Sequence, residues 1–347
     1  MDRQRYRHWQ AQDLAGIITT INTVSSKPGD PSSGSNLCGK SAHNVAIIVS
    51  SAFLTMDTHA STDDFFASVA TKSDSGGLRG DYTHADQHYV VAQQWERYTP
   101  EQHALWRRLY ARQAKLIPGR ACDVFIDSLK ALDVSQGIPQ FERTTEALFN
   151  ATGWQLVAVP GLVPDHVFFE HLANRRFPVT VWLREEHEFD YIVEPDVFHD
   201  FFGHVPLLFN PIFADHLQEY GKGGLKALKL DGLASLARLY WYTIEFGLIQ
   251  SPEGLRVYGA GILSSGGELE YCLRDPQPRR LPFDTERVMR TLYKIDSYQE
   301  SYFVIRDFAQ LFSDTAPDFT PLYARLKTQE ALPANSLLPG EQVLSID

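Results

Sequence analysis

The chain has 347 residues, a hydrophobic fraction of 44% and a net charge of −11, from 43 acidic against 32 basic residues. That length and hydrophobic content suit one large folded domain or two smaller ones. The acidic balance repels a phosphate backbone or an anionic lipid surface, so it predicts neither a nucleic-acid nor a membrane partner. Three widely spaced cysteines show no CxxC pair and no disulfide framework, which indicates a cytoplasmic protein.

The first 77 residues differ in amino-acid composition from the rest. Ser, Gly and Pro dominate residues 24–42, and such composition favours disorder over a packed core. Met56 would serve equally well as a start, so residues 1–55 are a candidate upstream extension. We therefore expect a poorly ordered or non-native leader over residues 1–77, a folded domain over residues 78–315 and a C-terminal tail over residues 316–347.

Helical signals begin at Thr99, where an N-cap, Pro100 at the first helical position and a capping-box Gln102 precede apolar residues at helical spacing. That helix is predicted to end at Pro118 and Gly119. Further helical periods cover residues 122–132, 140–151, 165–175, 213–220, 233–249, 285–293 and 302–312. Strand-like runs are few and short, at residues 154–159, 179–183 and 255–258. The pattern predicts a single α+β domain, mostly helical, with small peripheral β structure.

Histidines cluster in the middle of the chain, where two of them stand in an otherwise apolar segment. These two are His199 and His204, within VEPDVFHDFFGHVPLLF. Exposed surface positions are predicted for the four others in this region, which have charged neighbours: His166, His171, His187 and His216.

The five-residue spacing of His199 and His204 decides whether they could bind one metal ion. In an ideal α-helix five residues advance by about 500°, which leaves the two side chains about 140° apart. Gly203 and Pro206 predict that a short helix over residues 195–202 ends before His204, and that the following turn brings His204 back beside His199. The alternative is a pair of core histidines bonded to backbone carbonyls.

Glu245 is the candidate third ligand, because its neighbours at helical spacing are apolar or aromatic. A buried carboxylate needs a cation, either an arginine such as Arg184 or Arg238, or a metal ion. Two imidazoles and one carboxylate leave open metal positions. That ligand set is associated with non-haem Fe(II) oxygen chemistry and also occurs in zinc hydrolases.

Three motifs, in order, carry a resemblance to a known family. They are Glu194-Pro195-Asp196 followed by the two histidines, LYWYTIEFGL over residues 239–248, and YGAGILSSGGELEYCL over residues 258–273. In this combination the chain resembles the pterin-dependent aromatic amino acid hydroxylases, most densely over residues 157–273. The resemblance implies a monooxygenase that uses Fe(II), tetrahydrobiopterin or a related tetrahydropterin, and O₂. The implied reaction converts L-phenylalanine to L-tyrosine, with tryptophan or tyrosine as alternative substrates.

The family's site residues transfer to this chain where its motifs match. The resemblance implies that the iron is held by His199, His204 and Glu245. On the substrate side it implies that Arg184 binds the amino acid's carboxylate. It also implies that Trp241 and Phe246 flank the substrate's ring and that the Ser264 hydroxyl lies near the iron and the substrate. On the pterin side it implies backbone contacts from Gly161, Leu162 and Val163. It also implies that the ring of Phe168 stacks on the pterin and that Asp200 makes a polar contact with it. Tyr240 matches a tyrosine close to the iron with a positional role in catalysis.

Some features depart from the family or leave alternatives open. Asp200 stands where animal members commonly have Glu, so any water-mediated contact from that position to the pterin must be rearranged. Neither the regulatory domain nor the C-terminal coiled coil of the animal enzymes is visible, which predicts an unregulated monomer. A zinc hydrolase using Asp200 or Glu194 as general base is the alternative enzyme, and a helical binding module is the alternative non-enzyme. Ile295, in a loop expected to face the substrate, favours an unhydroxylated ring.

Overall fold

A computed structural model describes residues 78–192, 194–295 and 297–345. The leader expected over residues 1–77 and the alternative start at Met56 lie outside these residues. The α-helices of the described part are α1 Pro100–Leu116, α2 Asp123–Leu132, α3 Phe141–Thr152, α4 Asp165–Ala173, α5 Pro211–Leu230, α6 Leu233–Tyr240, α7 Ala260–Ser264, α8 Glu268–Arg274, α9 Thr285–Arg290, α10 Phe308–Thr315 and α11 Thr320–Leu326. Two π-helical segments, π1 Phe198–His204 and π2 Trp241–Glu245, and a 3₁₀ segment, Val205–Phe209, complete the central helices.

The strands of the described residues form two small sheets. A parallel pair consists of β1 Gln155–Val159 and β2 Arg176–Thr180, with Gln155 opposite Arg176. The second sheet has the order β4-β3-β6-β5 and contains β3 Leu248–Ser251, β4 Gly254–Val257, β5 Arg279–Pro282 and β6 Ser301–Ile305. Its β3–β4 pairing is antiparallel and the other pairings are parallel. The predicted class, mostly helical α+β with small sheets, is confirmed.

The start of α1 follows the sequence prediction. The Thr99 side chain accepts the backbone N–H of Gln102 at 3.3 Å, and the Gln102 side chain accepts the backbone N–H of Thr99 at 2.9 Å. These reciprocal bonds satisfy two of the donors that a helix start leaves open. The apolar stripe of α1 then buries Leu105, Trp106 and Leu109 in the core.

Several predicted elements were wrong in extent or kind. Residues 302–312 are not one helix, because Ser301–Ile305 is a strand paired on both sides; all five residues are buried, so the alternation that marks an exposed strand is missing. The helix predicted over residues 213–220 continues through three glycines to Leu230. The helix predicted over residues 233–249 changes to a π-helix at Trp241 and then to strand β3. The strand predicted over residues 179–183 lies earlier, at Arg176–Thr180.

Two of the four histidines expected on the surface are buried instead. His171 and His216 are 0% and 1% exposed, whereas His166 and His187 are exposed as predicted. His171 bonds the backbone carbonyl of His88 at 2.9 Å, and Nδ1 of His216 lies 2.8 Å from the Thr315 hydroxyl. Charged neighbours in sequence misled the prediction because, on a helix, residues one or two positions away point to other faces.

A single apolar core surrounds the segment that carries the histidine pair. Three phenylalanines of π1 (Phe198, Phe201 and Phe202) are fully buried, and Phe198 packs against Trp106 of α1 with 5.2 Å between ring centroids. The opposite side of π1 packs against α7. The histidines therefore lie on a segment that is closely packed in the core.

The segment after residue 315 packs on this body. The Leu332 backbone N–H donates to the carbonyl of Arg290 at 2.7 Å, and that of Leu344 donates to the carbonyl of Arg280 at 2.8 Å. The predicted boundary at residue 315 stays a prediction. Among the described residues no helix has both the length and the apolar character needed to cross a bilayer. Cys122 and Cys272 are buried free thiols.

Candidate metal centre

His199 and His204 lie on one π-helical segment, not on an α-helix followed by a turn. A π-helix closes hydrogen bonds between residues five apart, so residues i and i+5 lie one above the other, as i and i+4 do in an α-helix. The ring centroids of the two histidines are 5.2 Å apart. The prediction that the helix ends before Gly203 was wrong, since π1 runs to His204.

Gly203 has a packing role in this segment. A Cβ placed on it would lie 2.9 Å from the carbonyl oxygen of Ala260 and 3.0 Å from the Ala260 Cβ. These distances are shorter than real Cβ contacts, so only glycine allows π1 to approach α7 this closely. The close approach brings Ser264, at the end of α7, beside His199.

Glu245 completes a compact group of three potential ligands. It ends the second π-helical segment, and its two carboxylate oxygens lie 3.7 Å from Nε2 of His199 and 3.2 Å from Nε2 of His204. Each of the three residues offers one potential ligand atom, and these atoms all lie within 4.8 Å of one another. All three side chains are buried. Arg184 pairs with Asp196 and Arg238 donates to the carbonyl of Met289, so neither arginine is the cation that Glu245 requires.

The unpaired atoms of this group fit a metal ion. Both Nε2 atoms and both oxygens of Glu245 are buried and have no hydrogen-bond partner. Leaving four such atoms unpaired costs several kcal/mol, on the order of 1–3 kcal/mol each, which one divalent cation would recover. Core histidines bonded to carbonyls, the alternative considered from sequence, would not leave both Nε2 atoms without a partner.

Ser264 sets the tautomer of His199. The Ser264 hydroxyl donates to the carbonyl of Ala260 at 2.9 Å, so its oxygen accepts from Nδ1–H of His199, also at 2.9 Å. The proton of the neutral imidazole then sits on Nδ1, and the lone pair of Nε2 faces Glu245. A hydrogen bond to the non-ligating nitrogen is the usual way in which proteins orient a metal-binding histidine.

The charge state of the group also suits metal binding. Burial lowers the pKa of His199 to about 4, so its imidazole is neutral at pH 7. Burial alone would raise the pKa of Glu245, but the neighbouring imidazoles of His204 and His199 hold it below its ordinary value. Neutral imidazoles and an ionised carboxylate are the forms that bind a divalent metal.

Next to the histidines lies a buried ion pair. Nε and Nη2 of Arg184 each donate to Asp196 at 2.9 Å, and the Arg184 backbone N–H adds a third bond to the same carboxylate at 2.9 Å. Asp196 also accepts the backbone N–H of His199 at 3.0 Å. Burial raises the pKa of Asp196, but the Arg184 charge and these hydrogen bonds outweigh it, so the net pKa is below the ordinary value. Asp196 thus orients Arg184 and also bonds the backbone of π1 at His199.

Trp241 and Phe246 form an aromatic wall adjoining Glu245. Their rings stack with centroids 4.8 Å apart, and Trp241 also stacks on Tyr293 at 4.1 Å. Both are fully buried. Ile295, in the neighbouring loop, is 8% exposed.

The residues expected to contact a pterin lie around Gly161. A Cβ on Gly161 would meet Oη of Tyr82 at 2.9 Å, Oε1 of Glu194 at 3.0 Å and Nε1 of Trp182 at 3.5 Å. The last two atoms are buried without a hydrogen-bond partner. An unpaired acceptor and an unpaired donor beside a glycine suit a flat heterocycle that carries both kinds of group.

The remaining predicted cofactor residues are all buried. Leu162 and Val163 continue from Gly161, and the Leu162 carbonyl accepts the Tyr82 hydroxyl at 2.9 Å. Phe168 and Tyr240 meet edge to face with centroids 5.8 Å apart. Asp200 accepts the Thr180 backbone N–H at 2.8 Å, and burial raises its pKa to about 7 against the effect of that bond.

Comparison with known proteins places this arrangement in a family. A family model described as biopterin-dependent aromatic amino acid hydroxylase matches residues 78–321. The chain belongs to this family. It is 54% identical to phenylalanine-4-hydroxylase of Chromobacterium violaceum, over 81% of this chain and 94% of that protein. It is 55% identical to phenylalanine-4-hydroxylase of Ralstonia nicotianae, over 82% of this chain and 89% of that protein.

Solved structures agree with the hydroxylase assignment. A crystal structure of Chromobacterium violaceum phenylalanine hydroxylase with iron and phenylalanine bound matches with a TM-score of 0.73 and 54% identity, covering 79% of this chain and 99% of that one. A cobalt-bound structure of the same protein matches with a TM-score of 0.74 and 55% identity, covering 79% and 98%. The fold of this chain is therefore that of the aromatic amino acid hydroxylases.

Sequence reasoning missed several residues of this hydroxylase. Asp196 was seen only as part of a motif, although it holds Arg184 and His199 together. Glu194 was considered as a base for a zinc hydrolase, but it lies against Gly161, and burial raises its pKa to about 7. Gln299, whose side chain accepts the indole N–H of Trp241 at 2.8 Å, carried no signal, because Trp241 lies 58 positions away in sequence. An acid next to an apolar run, as in the Glu194-Pro195-Asp196 motif, was the one available clue to a buried role.

Proposed function

We propose that this hydroxylase converts L-phenylalanine to L-tyrosine with O₂, using Fe(II) and a tetrahydropterin. The observation that carries the proposal is the buried group of His199, His204 and Glu245, whose four inward-facing atoms lack hydrogen-bond partners. The relatives support phenylalanine as the substrate, since those that are 54% and 55% identical are phenylalanine-4-hydroxylases. The apolar Ile295 in the loop beside Trp241 adds support for an unhydroxylated ring.

The three ligands divide the work of holding the iron. His199 and His204 bind through Nε2, and Glu245 contributes the charge that partly neutralises the cation. Ser264 keeps the His199 proton on Nδ1, away from the metal. When bound, the iron supplies a site at which O₂ is activated with electrons from the tetrahydropterin.

The substrate is held by charge at one end and by aromatic rings at the other. Arg184 receives the amino acid's carboxylate through the donors that Asp196 leaves unused, and its planar guanidinium suits a bidentate contact. Trp241 and Phe246 bound the side-chain ring. Because both walls are fully buried, a ring packed against them would be shielded from bulk water.

The backbone of Gly161 to Val163 would hold the pterin. Glu194 and Trp182 offer it an acceptor and a donor, and Phe168 contributes an aromatic contact. Asp200 acts from the metal side, where its bond to Thr180 fixes the carboxylate. Tyr240 has a positional role, since its ring packs edge to face against Phe168.

An amino-acid panel tests the proposal. The protein is incubated with Fe(II), tetrahydropterin, O₂ and phenylalanine, tyrosine or tryptophan, and products are scored by mass. We expect one added oxygen atom on phenylalanine and a requirement for both Fe(II) and tetrahydropterin. Faster turnover of tryptophan or tyrosine would show that phenylalanine is not the preferred substrate. Activity restored by zinc alone, without pterin, would refute the proposed oxygen chemistry.

We also propose that the protein works as a monomer in the cytoplasm. The buried, unpaired state of Cys122 and Cys272 supports a reducing compartment. Light scattering coupled to size-exclusion chromatography tests the oligomeric state. A mass near 39.3 kDa is expected for the full chain, and a multiple of it would refute the monomer.

A further inference from the structure

A chain of hydrogen bonds joins three buried residues beside the aromatic wall. The Trp241 indole N–H donates to Oε1 of Gln299 at 2.8 Å, and the backbone N–H of Gln299 donates to Oε1 of Glu268 at 3.1 Å. The three residues are at most 2% exposed. Water does not compete for these bonds, so each orients its partners more strongly than a surface bond would.

Gln299 supplies an orientation that stacking alone does not. Trp241 stacks on Tyr293 and Phe246, with interplanar angles of 13° and 27°. Stacked rings tolerate lateral offset, so the stack limits the tilt of the indole more than its rotation within its own plane. An N–H···O bond is directional. The bond to Gln299 therefore fixes the rotation of the indole within the aromatic wall.

The same glutamine holds the neighbouring loop. Its Nε2 donates to the carbonyl of Lys294 at 2.9 Å and to that of Ser297 at 3.4 Å. Ile295 lies in this loop and is buried. One amide thus sets the position of the indole and of the loop relative to each other.

Glu268 connects this arrangement to the metal side. Its Oε1 also accepts the Tyr302 hydroxyl at 2.6 Å, and its backbone N–H donates to the Ser265 hydroxyl at 3.2 Å. Ser265 directly follows Ser264, which bonds His199. Buried residues linked by hydrogen bonds therefore set the distance between the aromatic wall and π1, which carries the histidines.

We propose that Gln299 is a positioning residue for the aromatic substrate. Acting through Trp241 and through the backbone carbonyls of Lys294 and Ser297, it sets where the substrate ring lies relative to the metal, and Glu268 holds Gln299 in place. The inference rests on the proposed function. Its consequence is that Gln299 controls which ring carbon is hydroxylated and how much of the oxidised tetrahydropterin yields product.

The test replaces Gln299 by methionine, which has a similar length but cannot accept the indole N–H. Three quantities are measured with phenylalanine: KM, the product formed per tetrahydropterin oxidised, and the ratio of 4-hydroxy to 3-hydroxy product. We expect the Gln299→Met variant to raise KM about tenfold, as the loss of one buried hydrogen bond predicts. Product per tetrahydropterin and the 4-hydroxy share should both fall, while tetrahydropterin oxidation continues.

Gln93→Met is the matched control. Gln93 has the same bonding pattern, accepting the Phe141 backbone N–H at 2.9 Å and donating to the Pro139 carbonyl at 2.7 Å, but it lies outside the site. All three quantities should stay at wild-type values. A Trp241→Phe background provides a second check, because Gln299→Met should then change the product ratio less than in the wild type, with only the bonds to Lys294 and Ser297 left to lose.

If Gln299→Met leaves both the product formed per tetrahydropterin and the ratio of 4-hydroxy to 3-hydroxy product unchanged, the inference is overturned and the proposed function stays intact. A wild-type protein that forms no hydroxylated phenylalanine would overturn the proposed function, and the inference with it. If Gln299→Met does not fold, Gln299→Asn gives the same decision, because its amide is one methylene too short to reach Trp241.

Discussion

The hydroxyl of Ser264 lies 2.9 Å from Nδ1 of His199, across 65 residues of sequence. Because that hydroxyl already donates to Ala260, it can only accept from the imidazole. The contact therefore directs the lone pair of His199 toward Glu245. A serine outside the ligand set thus decides whether a ligand is in its binding form.

Ser264→Ala should weaken metal binding. Without an acceptor for Nδ1–H, the imidazole loses its fixed tautomer and orientation, and such losses typically cost about 10–100-fold in metal affinity. Titration of metal-free protein with Fe(II) under anaerobic conditions measures the change. Ser128→Ala is the control, since Ser128 is also buried but its hydroxyl has no hydrogen-bond partner. Equal affinity for the variant and the wild type would contradict the assigned role.

Metal removal should lower stability. A ligand that binds only the folded state adds about 2.7 kcal/mol to the free energy of unfolding when its concentration is 100 times Kd. We expect Fe(II) to raise the thermal midpoint of the wild type and to have little effect on Glu245→Gln, which removes the charged ligand. His171→Asn, a buried histidine outside the ligand set, should keep the metal-dependent rise. A full rise in Glu245→Gln would count against Glu245 as a ligand.

Asp196→Asn should destabilise the fold strongly. Asp196 is fully buried and bonds Arg184 and the His199 backbone, so the change leaves a buried guanidinium without its counter-charge. Breaking a buried pair in this way costs about 3–5 kcal/mol. Urea denaturation measures the loss. The exposed pair of Arg108 and Glu186 is the comparison, and Glu186→Gln should change stability by no more than about 1 kcal/mol.

Gly161→Ala should weaken tetrahydropterin binding and leave phenylalanine binding close to wild type. Its methyl group would come within 3.0 Å of Tyr82 and Glu194, and relieving such overpacking costs about 1–3 kcal/mol. We expect KM for the tetrahydropterin to rise about tenfold or more. Gly223→Ala is the control, because a Cβ there meets nothing within 4 Å. A larger rise in KM for phenylalanine than for the pterin would place Gly161 elsewhere in the site.

His216 should make the protein sensitive to acid. Burial lowers its pKa to about 3, whereas in the unfolded chain it titrates near 6.5. Between these values the unfolded state binds the extra proton, so stability is full above pH 6.5 and falls as the pH drops toward 3. At pH 5 the loss is about 2 kcal/mol.

His216→Asn should remove that part of the acid sensitivity. The asparagine amide keeps a donor for Thr315 but does not titrate. Unfolding by urea at pH 7.5 and pH 5 compares the variant with the wild type, and the exposed His166→Asn serves as the control. If His216→Asn loses as much stability as the wild type between these pH values, His216 is not the responsible group.

Local features of this protein were predictable from sequence because their causes are local. The capping box at Thr99 and Gln102 depends on residues three positions apart. Glu245 was recognisable as a buried acid because its helical neighbours are apolar. The same reasoning identified His199 and His204 as candidate ligands.

The geometry that joins the histidines was predicted for the wrong reason. Gly203 was expected to end the helix, but it allows close packing on Ala260 while the segment continues as a π-helix. A π-helix is rare and has no strong sequence signature. Its stability here comes from the buried phenylalanines that surround it.

The sequence alone determined that a buried carboxylate and two histidines stand in apolar segments, and its motifs pointed to the family. Only the tertiary structure decided that Ser264 sets the His199 proton, that Asp196 holds Arg184 and that Gln299 orients Trp241. Each of these bonds joins side chains on different elements. Their energy depends on how those elements pack, and hydrophobic periodicity along the chain carries no information about which polar atoms will meet when water is removed.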